Sequence, residues 1–202
     1  MFDPERCLAR LHTSHQRLLD ALTGPVALTD EMLRRPSRLP DWSVGHVLTH
    51  IARNADSVVR HLEGAARDEV VDQYPGGKPA RAAEIEAGAG RGAAEQIADV
   101  RTSAAAVERV ASTLPAVAWG RLTRSVSGEL QPMSVVLVGR IREVEIHHVD
   151  LGLGYGPGDW PTEFVEETLA VELPRLIERV APEALLAWLT GRGPAPTPPV
   201  WR

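Results

Sequence analysis

The sequence predicts a mainly α-helical protein: a bundle of four helices over residues 1–153, followed by a shorter tail of different character. Two observations carry this. Apolar residues recur at helical spacing in four long segments, each bounded by glycine or proline. Only one short segment, "RLTRSVSGELQ", alternates as a strand or hairpin does. The implied division is a bundle over residues 1–154 and a C-terminal extension over residues 155–202.

The bulk numbers agree with one principal domain. A chain of 202 residues suffices for one full core, or one core with a small appendage. With 44% hydrophobic and 24% charged residues the composition is that of a soluble globular protein, and no apolar run is long enough to span a bilayer. Its 22 basic and 27 acidic side chains give a net charge of −5 with the arginines scattered, which argues against nucleic acid as a partner. The start lacks the basic-then-apolar order of a secretory signal, and the lone Cys7 allows no internal disulfide; a cytoplasmic location is expected.

Taken in order, residues 4–23 form the first helix, with Leu8, Leu11, Leu18, Leu19 and Leu22 near helical spacing and Gly24-Pro25 as its stop. After a linker, Asp41 or Ser43 caps a second helix that runs to about Glu63. Residues 64–81 are rich in turn formers and read as a long loop. A third helix runs from Ala82 to about Leu114, weakened at its start by Gly88, Gly90 and Gly92. Pro132 suits the first turn of a fourth helix that ends at "LGLGYGPG". In the tail, "PTEFVEETLAVELPRLIERV" is a fifth helix with Pro174 inside it, "PEALLAWLTGR" a sixth, and "GPAPTPPVWR" an extended end.

The chemistry concentrates in "REVEIHHVDLG", residues 142–152. Glu143 and His147 are four apart, about 40° around a helix axis, so they leave one face and converge; Asp150 extends the row. A competing pair, Glu145 and His148, fits less well, because His148 shares the apolar row of Leu137, Ile141, Val144 and Leu151 while Glu145 falls on what should be the wetter side. Either pair alone is equally what a surface ion pair looks like, so a metal site needs a third ligand. The second helix carries His46 and His50. His46 lies in the first turn and reads as a surface or capping residue, whereas His50 shares a row with Val47, Asn54 and Val58 at the core boundary. Facing helices of a bundle build metal sites in this way, and two histidines with one glutamate leave an open position, the catalytic zinc pattern. Imidazole and carboxylate suit other divalent ions too.

Four stretches, "LPDWSVGHVLTHIARNADSVVRHLEG", "YPGGKPARAAEIEAGAGRGAAEQIADVR", "REVEIHHVDLGLG" and "LLAWLTGRG", together resemble the mycothiol-dependent maleylpyruvate isomerase family, which is built on a DinB-like four-helix bundle. The resemblance implies zinc held by His50, Glu143 and His147, with the thiol of mycothiol taking the open position as a thiolate. It implies addition of that thiolate to the double bond of maleylpyruvate, rotation, and elimination of fumarylpyruvate. It also implies a catalytic arginine from the C-terminal part, which the Gly-Arg of "WLTGRG" places at Arg192. Arg81, in the predicted loop, is a second candidate for an anion contact with the thiol or substrate, although an arginine there reads first as solvated. Cys7 reads as an apolar filler in the first helix. The family's larger α/β C-terminal domain is not matched: fewer than fifty residues follow Asp159, with little strand signal.

Three functions compete at this level. The first is an isomerase of maleylpyruvate type, and the second a mycothiol S-transferase acting on an epoxide or other electrophile. The third is a non-catalytic bundle that binds metal or thiol. Monomer and homodimer are both compatible with the sequence.

Overall fold

The computed structural model of the chain describes residues 2–24 and 28–197. It falls into two compact units, Met1–Gly156 and Pro157–Arg202. The first unit contains α1 (Pro4–Thr23), α2 (Asp30–Arg34), α3 (Val44–Arg67), α4 (Gly77–Ala89), α5 (Ala93–Ser112) and α6 (Met133–Asp150). A hairpin of β1 (Leu122–Arg124) and β2 (Leu130–Pro132) precedes α6, with Leu122 opposite Pro132. The second unit contains α7 (Thr162–Arg179), with Pro174 inside it, and α8 (Pro182–Leu189). Pro25 and the last five residues of the predicted extended end lie outside the described residues.

Four long helices make the bundle. Helix α3 packs on α5 and α6, and α1 packs on the same two, so α1 and α3 occupy opposite corners. The core between them includes Leu18, Leu22, Val47, Leu48, Ile51, Val100 and Val144. Burying a leucine or isoleucine side chain fully is worth about 1.5–3 kcal/mol, so this apolar contact is the main source of the bundle's stability.

Local chemistry sets where the helices begin. Asp3 accepts from the Arg6 N–H at the start of α1, where Pro4 costs no hydrogen bond. Of the two candidate caps for α3, Ser43 is the one used: its hydroxyl accepts from the His46 N–H while His46 Nδ1 accepts from the Ser43 N–H, a capping box with histidine in the third position. Asp41 instead takes a left-handed turn, φ 65°.

The structure corrects the sequence reading in the middle of the first unit. The expected loop over residues 64–81 is shorter, because α3 continues to Arg67 and α4 begins at Gly77. Two glycines, Gly76 and Gly77, sit at positive φ there, so turn-forming composition marked the entry to a helix. The single third helix is two, broken at Gly90–Gly92, where the glycines expected to weaken it interrupt it. Helix α4 lies against α3 at small residues: a Cβ on Gly45 would stand 2.3 Å from the Ala89 carbonyl oxygen.

Two buried histidines brace the unit. His15 Nδ1 donates to Glu108 on α5 at 2.7 Å, and His12 donates to the other oxygen of the same carboxylate at 2.8 Å. His61 on α3 pairs with the Thr123 hydroxyl of β1. Burial pushes His15 down to about 4 in spite of Glu108, and burial, aided by Arg60, pushes His61 down to about 4. Both are therefore neutral in the folded protein between pH 4 and 6.5, where the unfolded chain takes up protons. Each should cost the fold about 1.4 kcal/mol per pH unit as pH falls through that window. Urea midpoints of the wild type should drop between pH 7 and pH 5, and drop less in a His15→Gln/His61→Asn double variant held at the same metal saturation. Equal drops would refute the assignment.

A candidate metal centre between α3 and α6

His50 projects from the middle of α3, and Glu143 and His147 from adjacent turns of α6. Two of the three are buried: His50 is 1% exposed and His147 0%. Among the described residues they form a group of metal-binding side chains whose ligand atoms all lie within 4.8 Å of one another. His50 Nε2 is 2.8 Å from Glu143 Oε2 and 3.1 Å from His147 Nε2, and His147 Nε2 is 3.4 Å from Glu143 Oε2. A tetrahedral zinc with ligand bonds of about 2.05 Å sets its donors about 3.3 Å apart. The observed triangle therefore has the size of one face of such a site, and the donor set fits a divalent ion.

Asp150 completes the arrangement. Its carboxylate accepts from His147 Nδ1 at 2.8 Å, which fixes the ring and leaves Nε2 directed at the other two ligand atoms. A carboxylate behind a ligating histidine in this way orients it and raises its basicity. Burial works against charge on His147, but its hydrogen bonds to Asp150 and Glu143 outweigh that and raise it to about 9. Burial likewise opposes ionisation of Glu143, yet the two histidines hold its carboxyl well below the usual range. His50 is pushed down to about 4 by burial, against the pull of Glu143.

Arg81 also reaches the site. It lies on α4 and not in a loop, and it is partly buried instead of solvated: its Nη2 stands 3.1 Å from His50 Nδ1, and its guanidinium lies 5.8 Å over the Tyr74 ring. That contact makes Nδ1 an acceptor and puts the His50 proton on Nε2. An ion at Nε2 requires the opposite tautomer, with a proton on Nδ1 facing the guanidinium. Metal binding and the Arg81–His50 hydrogen bond thus exclude one another.

Arg192 lies in the second unit, exposed in the turn after α8, where its guanidinium donates to the Thr190 carbonyl. Cys7 is buried in α1, as its reading as an apolar filler requires. His46 is a capping residue, tied also to Glu86 at 3.2 Å.

One reading is overturned. Glu145, expected on the wetter side of α6, is 1% exposed, and it accepts from Ser14, from Arg17 at 2.8 Å and from Tyr155. Partners on α1 and after α6 satisfy the carboxylate. His148, on the neighbouring row, stacks on Tyr155 with ring centroids 4.0 Å apart. Sequence reasoning also passed over Trp42, whose ring lies 5.6 Å from that of His50. Its position eight residues before His50, outside the helical row, gave no signal.

The family model of the mycothiol maleylpyruvate isomerase N-terminal domain matches residues 11–152, a span that holds all three ligand candidates. The chain belongs to this family. Two solved structures are similar to it. One is a crystal structure of the mycothiol-dependent maleylpyruvate isomerase, 26% identical with a TM-score of 0.77, the match covering 84% of this chain and 69% of that one. The other, with the same figures, is a histidine-to-alanine mutant of that enzyme. A search of curated protein sequences gives no match. The fold is accordingly the DinB-like helical bundle of mycothiol-dependent maleylpyruvate isomerases, and among the described residues no helix is long and apolar enough to cross a membrane.

Two outcomes follow from the geometry. Asp150→Ala should weaken zinc binding by about 10–100-fold while the fold persists, read by competition with a chromophoric chelator. Arg81→Ala should strengthen it by about tenfold, the worth of one competing hydrogen bond. Unchanged zinc affinity in both variants would show that neither side chain bears on the site.

Proposed function

We propose that the protein is a zinc- and mycothiol-dependent isomerase of the maleylpyruvate type. The observation that supports this most is the donor triangle of His50, Glu143 and His147, at zinc spacing within a chain of this family. A divalent ion held there supplies the charge that strips the proton from a bound thiol and orients the sulfur as a nucleophile.

The chain's own residues do the rest. His50, Glu143 and His147 hold the ion and leave one position open, and Asp150 keeps His147 in the ligating tautomer. Trp42 packs edge-on against His50, with ring centroids 5.6 Å apart. Turning a cis alkene between two carboxylates into the trans form needs the double bond to be opened transiently, which throws negative charge onto the neighbouring keto oxygen. A guanidinium in reach of that oxygen stabilises the charge. Arg81, released from His50 when an ion binds, is placed to serve, and Arg192 is the second cationic candidate for the substrate carboxylates.

The decisive test combines metal analysis with catalysis on one sample. Purified protein should carry one zinc per chain, isomerise maleylpyruvate only with mycothiol present, and lose that activity on chelation. His50→Ala and Glu143→Ala should lose both metal and activity, whereas Arg192→Ala should keep the metal and lose at least tenfold in kcat. Bound metal with no isomerisation, but with coupling of mycothiol to an epoxide, would replace the isomerase reading by an S-transferase.

A further inference from the structure

Beside the metal centre the α2–α3 loop borders an open depression of about 570 Å³ whose walls include Arg34, Arg38, Asp41, Trp42 and His46. We propose that this depression seats the sugar part of the thiol cofactor, the amino sugar and inositol of mycothiol, with Trp42 as the surface on which a ring stacks. The proposal deepens the thiol-dependent reading and rests on it.

Position is the first argument. Trp42 forms part of the wall, and the same ring meets His50 edge-on at 5.6 Å and stacks with His46 at 6.3 Å. One side chain therefore separates the depression from a metal ligand, so a ring held in the depression would lie beside a thiol bound at the metal. Rigidity is the second. Pro36 and Ser43 form an antiparallel bridge, the Ser37 hydroxyl bonds the Trp42 carbonyl at 2.8 Å, and the Arg38 N–H donates to the Asp150 carbonyl at 2.9 Å. The loop is thereby fastened to the helix that carries two of the ligands, and a preformed wall loses little entropy on binding.

The chemistry of the wall selects the occupant. The side chains of Arg34, Arg38 and Asp41 are exposed and without partners among the described residues. They offer donors and an acceptor beside the part of Trp42 that lines the depression, which suits a polyhydroxylated ring: its hydroxyls give and take hydrogen bonds, and its C–H groups pack on the indole.

The test compares mycothiol with N-acetylcysteine, which offers the same thiol without the sugars, by calorimetry on the zinc-loaded protein. An Arg34→Ala/Arg38→Ala double variant, altered only at exposed side chains, and Trp42→Phe, which keeps an apolar cover on His50, should each weaken mycothiol binding at least tenfold. Their zinc content and their affinity for N-acetylcysteine should stay within twofold of wild type, and the thiol-free glucosaminyl-inositol should compete with mycothiol in the wild type alone. Undiminished mycothiol affinity in the double variant would overturn the proposal, as would a loss that falls on the KM of maleylpyruvate instead. Failure of the underlying reading looks different: zinc-loaded wild type would then bind neither mycothiol nor N-acetylcysteine, and both proposals would fall together.

Discussion

Two imidazoles and a carboxylate facing one another between α3 and α6 are the constraint around which the first unit is arranged. Ionisable groups taken out of water cost several kcal/mol each unless they are paired, so a bundle that buries them must supply partners in good geometry. Here they partner one another, and each histidine has a further contact on its other nitrogen, His147 with Asp150 and His50 with Arg81. The packing of α3 on α6 is what brings the set together, and it is held from the same two helices: Arg140, buried on α6, donates to the Ile51 carbonyl and to the Asn54 side chain on α3. Those acceptors lie one and four residues beyond His50, so the guanidinium fixes the relative height of the two helices at the level of the ligands.

The other face of α6 is fixed just as firmly. Glu145 lies two residues from each of the two α6 ligands, so its side chain leaves the helix on a different side. Ser14 and Arg17 of α1 and Tyr155 beyond α6 all converge on that carboxylate. Removing one partner of such a buried pair leaves an uncompensated charge, which costs far more than a surface ion pair contributes. A helix clamped on both faces has little freedom to rotate, and that keeps Glu143 and His147 directed at His50. The two Glu/His pairs in "REVEIHHVDLG" thus divide the work: one faces the candidate centre, and the other anchors the helix that carries it.

Much of this is legible in the sequence alone. Helical periodicity identified α1, α3, α5 and α6, and the four-residue spacing of Glu143 and His147 predicted their convergence, because one-turn spacing is a property of the helix itself. His50 was legible as a core-boundary residue for the same reason. What stayed illegible depends on contacts between elements distant in sequence. Glu145 looked solvent-facing because nothing in its own helix announces Ser14 and Arg17, more than 100 residues earlier. Arg81 looked solvated because glycine and proline concealed the start of α4, and its meeting with His50 depends on α4 lying close to α3 at Gly45 and Gly88, where side chains would intervene. Trp42 has no periodic context at all, and only the folded loop shows that it covers His50.

The charges around the centre explain why Arg81 belongs there. With His147 protonated, the positive groups around the centre are His147, Arg81 and Arg140, and the negative ones are Glu143 and Asp150. A divalent cation held there would bring two positive charges into the same space, displace the proton from His147 Nε2, and require on His50 the tautomer that does not accept from Arg81. The guanidinium would then be repelled from its present partner and left as a cation beside the ion, which is what the proposed anion contact needs. An uncharged residue at position 81 would leave His50 free to ligate at all times but would offer nothing to a bound anion.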